Sequence, residues 1–373
     1  MQTSRMITAL GALSLLLGSP LRAPLRAQGP GGLLPTPQDT PNRQGTRGAN
    51  FLHIGIGARG GAMGGSVGST VTGPTAWYWN PAGAATAEGF ELVAGRQNLY
   101  GSLGLGQTYA ATSIPLLGGV VGLSLNTLSS GNMLRTTEQN PFGERLGGSL
   151  FQWTSTALSA GYAKRITDRL SVGGQVKYIN EGITDVSTNW VAFDIGTQFN
   201  TGLYGLMLGG AIQNVGGQSR ASGALITRFI STSDGSQLRE NRRVEFYTRE
   251  TEIPVEFRLS VGSDLLGSSN SIFGGADGKH TLKAELSLSD ATDYATQYGL
   301  GAEYGFRNLA FVRAGKRFYN DDRWIGGSEA TYGLAGGFGL RLPVKGRAVK
   351  FDYSYQNAGA LQNIQIFSFE VGR

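Results

Sequence analysis

The stretch Ile253-Pro254-Val255-Glu256-Phe257-Arg258-Leu259-Ser260-Val261 decides the fold. Ile253, Val255, Phe257, Leu259 and Val261 take one parity; Pro254, Glu256, Arg258 and Ser260 take the other. Successive side chains of a strand point to opposite faces, so this run has one apolar face and one polar face. Arg169–Glu181 repeats it, with Leu170, Val172, Val176 and Tyr178 against Ser171, Gly173, Gln175 and Lys177. From Phe90 onward about fourteen such runs follow one another, the first Phe90–Leu99 and the last Asn363–Gly372. A water-soluble sandwich alternates in the same way. The order of the connections and the start of the chain separate the two cases.

Connections sort by parity. Taking the first as outside, the inside set is Leu116–Gly119, Arg165–Arg169, Asn200–Leu203, Asp264–Lys279, Phe306–Asn308 and Pro343–Gly346. All but Asp264–Lys279 are tight turns. The outside set includes the long, polar Ser129–Ser149, Val215–Thr251 and Phe318–Ala330. Short turns at one end and long loops at the other is the asymmetry of outer-membrane barrels, and a sandwich has no reason to show it. The longer 264–279 segment reads either as a miscounted strand or as a loop folded against the barrel end.

The side chains sort too. Asp194, Gln198, Glu256, Arg258, Lys283, Glu285, Glu303, Lys350 and Asp352 take the inward parity, while residues such as Phe193, Ile195, Leu286, Leu300 and Phe351 take the outward one. A charge on the lipid face near the midplane costs about 2–4 kcal/mol, so the polar set belongs to the lumen. Asn308–Arg317 sorts poorly, because Phe311 and Arg313 share a parity. An unpaired sheet edge in lipid strands a row of N–H and C=O groups, so the last strand pairs with the first.

The first residues fit export. Arg5 is followed by the apolar Met6–Leu17, too short for a bilayer span of roughly 20 residues but suited to a signal. Residues 1–27 read as a signal peptide, 28–50 as a flexible leader, 51–89 as a lumen segment and 90–373 as the barrel. The chain has no cysteine, which removes disulfides and thiolate sites, and its 59 glycines in 373 residues suit close backbone approach and sheet curvature. The net charge of +6 is spread along the chain with no basic cluster, so nucleic acid is not an expected partner.

The most specific local sequence is Gly57-Ala58-Arg59-Gly60-Gly61-Ala62-Met63-Gly64-Gly65, followed by Ala76-Trp77-Tyr78-Trp79-Asn80-Pro81-Ala82-Gly83. A glycine-hinged, aromatic-rich stretch ahead of the first strand has what a lumen plug needs. These motifs resemble the PorV/PorQ family, a branch of the FadL-like outer-membrane barrels. The resemblance implies a fourteen-stranded barrel with an N-terminal hatch, whose turn falls at Asn80, Pro81 and Ala82. It also implies either passage of hydrophobic compounds such as long-chain fatty acids or service in type IX secretion, holding or shuttling cargo proteins. Gly60-Gly61 and Ser69-Thr70-Val71-Thr72 depart from that family's pattern. The C-terminal strand, with its alternating Phe367 and Phe369, resembles the insertion signal of bacterial outer-membrane proteins, although the chain ends Gly372-Arg373.

Candidate ligand-facing residues are Trp77, Tyr78, Trp79, Asn80 and Pro81. Glu256/Arg258 and Lys283/Glu285 read as a complementary lumen patch on adjacent strands. Enzyme patterns find no context. Gly55-Ile56-Gly57-Ala58-Arg59-Gly60 matches a dinucleotide fingerprint but lacks the following helix and acidic residue. Gly64-Gly65-Ser66-Val67-Gly68 matches a nucleophile elbow, yet only His53 and His280 exist to serve it. Two histidines do not make a transition-metal site. Asp290, Asp293, Asp321 and Asp322 read more simply as solvated loop residues than as calcium ligands. The expected protein is a non-enzymatic barrel without a cofactor. Its expected partners are outer-membrane lipid and hydrophobic small molecules or secreted cargo. An outer-membrane lipase is the remote alternative.

Overall fold

The computed structural model describes residues 45–136, 138, 141, 149–232, 240–274, 279–319 and 331–372. The signal peptide, most of the leader and Asp321-Asp322 lie outside these. The wall is fourteen antiparallel strands: β1 Glu91–Leu99, β2 Leu105–Leu116, β3 Gly119–Ser129, β4 Trp153–Arg165, β5 Leu170–Ile183, β6 Val186–Asn200, β7 Leu206–Gly216, β8 Glu256–Leu266, β9 His280–Ala291, β10 Tyr294–Phe306, β11 Ala310–Tyr319, β12 Leu334–Val344, β13 Arg347–Asn357 and β14 Asn363–Gly372. Each pairs with its neighbours in the chain. β1 and β14 close the cylinder from Leu92 opposite Val371 to Asn98 opposite Gln365. Closure leaves no edge, as the lipid argument requires.

Sorting by face holds round the wall. Phe193, Ile195, Phe257, Leu286, Leu300, Phe338 and Phe369 are exposed on the outside, while Gln175, Lys177, Asp194, Gln198, Glu285 and Glu303 are buried inside. This apolar exterior on a closed barrel places the protein in the outer membrane of a Gram-negative-type cell. The mixed parity of β11 has a cause. Arg313 is held inward between Glu303 at 2.6 Å and Asp352 at 2.5 Å. Its guanidinium carbon lies 5.2 Å from the centre of the Phe311 ring, so an aromatic and a cation share the inner face as partners.

Two local expectations change. Ile253 belongs by parity to the outer face, yet it is buried beside Phe51 and Leu52. Pro254 has no N–H for the ladder, so the chain joins the wall only at Glu256. The 264–279 segment hides no extra strand among its described residues: Ile272 and Phe273 donate back to the carbonyls of Asp264 and Leu265 at 3.3 and 3.0 Å. In the long connection after β7, Thr227–Thr232 and Glu240–Glu245 pair antiparallel as a sheet separate from the wall.

Residues 45–89 form short helical turns, Asn50–His53, Ala58–Ala62, Gly73–Thr75, Ala76–Trp79 and Pro81–Thr86. They bond to strands on several sides of the lumen. Ala58 N–H reaches Ser368 Oγ on β14 at 2.8 Å, Trp77 Nε1 reaches Ser113 Oγ on β2 at 3.0 Å, and Asn80 Nδ2 reaches the Thr197 carbonyl on β6 at 2.9 Å. The wall is cut away to receive them. A Cβ at Gly122 or Gly161 would strike the Trp77 ring, one at Gly173 the backbone of Pro81 and Ala82, and one at Gly315 the backbone of Met63 and Gly64. Packing starts earlier than Phe51: Gly48 N–H bonds to the Glu252 carbonyl at 2.9 Å and Ala49 N–H to Glu181 Oε2 at 3.1 Å. The last leader residues therefore pack with the segment.

Candidate functional site

The segment leaves two chambers in the lumen. At the long-loop end lies a cavity of about 370 Å³, whose wall includes Phe51, Leu99, Tyr100, Trp153, Tyr319 and Ile366. At the short-turn end lies one of about 250 Å³, lined by Lys283, Glu303, Arg313, Lys350, Asp352 and Glu370 among others. A small recess of about 40 Å³ lies between, sharing His53 and Arg317 with the first chamber and Trp79 with the second.

The first chamber follows from where the strands end. Leu99 ends β1, Tyr100 follows it, Leu105 opens β2, Tyr319 ends β11 and Ile366 lies near the start of β14. Phe51 and Ile54 of the segment form its floor, joined to a buried cluster that includes Leu128, Ile179 and Trp190. The polar groups in this wall are Asn50, His53, Gln97, Gln297, Arg317 and Gln356, beside the tyrosine hydroxyls. Gln97 donates through Nε2 to Gln107 Oε1, and Gln107 donates in turn to Asn126 Oδ1 at 2.8 Å. Gln97 Oε1, fully buried, has no partner among the described residues.

His53 ties the segment to the wall beside this cavity. Its Nε2 lies 3.1 Å from Asp293 Oδ1 and its Nδ1 3.4 Å from Glu256 Oε2. Burial works against a charged imidazole, but hydrogen bonds and attraction from Asp293 and Glu256 outweigh it and raise its pKa to about 9. Asp293 is therefore no solvated loop residue; it is 1% exposed and engaged with His53.

The second chamber is a network of ion pairs. Arg59 Nε reaches Glu303 at 2.9 Å, Arg313 bridges Glu303 and Asp352, and Lys350 pairs with Glu370 at 2.6 Å. Glu303, Arg313 and Asp352 are buried, and each meets an opposite charge, as a buried ion must.

The aromatic candidates pack against the wall. Trp77 fills the space over Gly122 and Gly161, and Tyr78 donates to the Leu52 carbonyl at 2.9 Å. Trp79 donates to the Ile56 carbonyl at 3.0 Å and crosses the Tyr78 ring edge-on at 5.0 Å. Asn80 caps the Pro81–Thr86 turn, its Oδ1 accepting from Ala82 N–H at 3.2 Å. None of these five lines the larger cavity; Trp79 alone borders the recess and the charged chamber.

The lumen charges are brought together differently from the expected patch. Arg258 grips Glu256 on its own strand through two bonds of 2.7 and 2.9 Å and lies 5.1 Å from the centres of the Tyr78 and Trp79 rings. Glu285 accepts from Ser69 N–H at 2.7 Å and from Thr70 Oγ1 at 2.5 Å, while Lys283 stands 3.8 Å from Asp264. The strand register explains the difference. Glu256 and Arg258 face Ala291 and Ser289, whereas Lys283 and Glu285 face Asp264 and Gly262, at another height on the wall. Sequence reading missed Gln97 and Arg317. Arg317 shares the inward parity of Phe311 and Arg313, and that poorly sorted strand was the available signal.

No family model matches the chain, and no curated protein matches it. Solved structures do. The Pseudomonas putida toluene transporter TodX is similar over 85% of this chain and 96% of its own, at 13% identity and TM-score 0.52. The Ralstonia pickettii toluene transporter TbuX matches over 85% and 97%, at 13% identity and TM-score 0.50. The monoaromatic hydrocarbon channel CymD matches over 85% and 96%, at 12% identity and TM-score 0.52. At this identity the likeness shows the fold alone: a barrel of the same architecture as these channels.

Proposed function

We propose that the protein carries hydrophobic small molecules across the outer membrane, with residues 45–89 as the hatch that keeps the lumen shut. The observation that carries this is the 370 Å³ cavity at the long-loop end, whose wall is built largely from apolar and aromatic side chains with polar groups set among them. Pockets for small ligands have this size and chemistry: mostly apolar walls with a few placed polar groups. The similar solved structures are named as toluene and monoaromatic hydrocarbon transporters, which supports the same direction. Nothing in the site asks for covalent chemistry, so the protein would bind, orient and release. Uptake of a radiolabelled aromatic hydrocarbon by cells with and without the protein tests the reading. Faster uptake with the protein supports it, and equal rates end it.

A second reading has its own observation. The strand pair Thr227–Thr232 and Glu240–Glu245 is separate from the wall and is followed by the exposed Phe246 and by Tyr247, which is 80% exposed. Such a surface suits a protein partner, as a PorV/PorQ-type secretion role would require. Crosslinks from this strand pair to exported proteins, with no uptake of hydrophobic compounds, would favour it.

A further inference from the structure

We infer that the short-turn rim from the start of β9 to the start of β13 docks anionic phospholipid of the inner leaflet, gripping it by the phosphate headgroup. This surface faces the bilayer and is independent of what the lumen carries.

Two tight turns build the rim. Arg307 and Asn308 follow β10, with φ of 51° and 55°, and Lys345 and Gly346 follow β12, with φ of 45° and 78°. Positive φ favours Gly and Asn, so turn geometry alone does not call for the Arg and the Lys. The turns are joined through the backbone. Arg307 N–H donates to the Lys279 carbonyl at 2.5 Å, and Arg341 N–H to the Leu309 carbonyl at 2.7 Å. Residues 306–310 and 342–348 carry Arg307, Lys345 and Arg347 and no Asp or Glu. All three bases are exposed, and none pairs with a carboxylate among the described residues. The long-loop end differs: Arg47 pairs there with Glu252, and Arg220 with Glu250 at 2.8 Å.

Below these cations the outer face is apolar. Tyr304, Phe306, Leu342 and Val344 are exposed on it. The Arg307 guanidinium carbon lies 5.3 Å from the centre of the Phe306 ring. His280 stands opposite Phe306 in the ladder, with Nδ1 2.6 Å from the Tyr304 hydroxyl. Aromatic residues in this position form the interfacial girdle of a barrel, and short turns mark its periplasmic side. Long basic side chains lay their stems on such a surface and keep their charge at the water. A lipid phosphate at this level meets cations, while its acyl chains meet the apolar belt. A soluble phosphate would use the cations alone. A zwitterionic headgroup brings its own ammonium, so net negative charge is what the rim favours. The site is a sector of the rim. The β2–β3 and β6–β7 turns at the same end carry no base, and the β4–β5 turn sets Asp168 among Lys164, Arg165 and Arg169.

Native mass spectrometry of the full-length mature protein, released from detergent micelles, tests this. The protein is offered equal amounts of dioleoylphosphatidylglycerol and dioleoylphosphatidylcholine. The anionic lipid should be retained roughly ten-fold better, since each base near a charged lipid surface contributes roughly five-fold. The preference should shrink as salt rises, because exposed charges are screened. Replacing Arg307, Lys345 and Arg347 together by Gln should bring the ratio close to one. Replacing Lys164, Arg165 and Arg169 together by Gln should leave it in place. Arg307→Gln, Lys345→Gln and Arg347→Gln singly should each lower it part-way, which keeps the test open if the triple variant does not insert. Equal retention in the wild type, a preference that survives loss of the three rim bases, or an equal loss in the β4–β5 variant each overturn the inference. So does displacement of the lipid by glycerophosphoglycerol, which has the headgroup without acyl chains.

Discussion

The two chambers of the lumen are opposite solutions to one problem. Both must fill a space that the wall cannot fill alone. The short-turn end does it with paired charges: Arg59, Arg313 and Lys350 against Glu303, Asp352 and Glu370. The long-loop end does it with aromatic and aliphatic side chains around an open cavity. A charged network is saturated by its own members and offers a ligand little. The other cavity leaves aromatic and aliphatic surface uncovered. The comparison teaches that one end of the lumen is closed by groups that saturate one another, while the other keeps open space.

The largest break of this contrast removes the divider. A chain lacking residues 51–89 should still insert as a heat-modifiable barrel, because the wall bonds are its own. Its chambers should merge and its permeability to small solutes rise steeply, as water fills the lumen and hydrates the charges. Liposome swelling measures it, and unchanged permeability would sink the hatch.

Next comes the charged end alone. Arg313→Met leaves Glu303 and Asp352 facing each other with half their compensation gone. Breaking such a buried pair costs about 3–5 kcal/mol, read as a lower midpoint in urea unfolding. Uptake of a hydrophobic compound should change less than stability does. A variant as stable as wild type would mean that the network contributes nothing.

The join between the regions should respond to pH. Only the folded protein holds His53 between two carboxylates, so its pKa there, about 9, lies above its ordinary value. The stabilisation is complete below about pH 6.5 and is lost as pH rises through 9. Hydrogen exchange in residues 48–56 should accelerate over that window, and His53→Gln should make the exchange pH-independent beyond its intrinsic dependence. No acceleration between pH 6.5 and 9 would remove the latch.

The smallest effect belongs to the apolar wall. Ile366→Val trims one methyl from a buried position and should cost about 0.5–1.5 kcal/mol, well under Arg313→Met. A larger cost than at Arg313 would reverse the comparison between the two ends.

Much of this was legible in the residues, and the reason differs from place to place. All fourteen strands lie where the alternation placed them, with ends shifted by four residues or fewer. A period of two is a local property, and lipid outside with water or polar groups inside makes it strict. The one strand that sorted poorly, β11, was poorly sorted because Arg313 and Phe311 answer to each other and to Glu303 on β10. Parity gives the face of a residue but not its height, so it placed Glu256, Arg258, Lys283 and Glu285 in the lumen and mismatched them. Height is set by register, which depends on turns and bulges along the whole wall.

The sequence by itself determined the barrel and its apolar exterior. Each follows from local period or composition and needs no knowledge of distant neighbours. Only the tertiary structure decided that His53 meets Asp293 and Glu256, that Trp79 borders the charged chamber and not the larger one, and that Gln97 bonds to Gln107. These depend on which inward residues reach the same level when the sheet closes, and closure joins residues as far apart as Gln97 and Ile366.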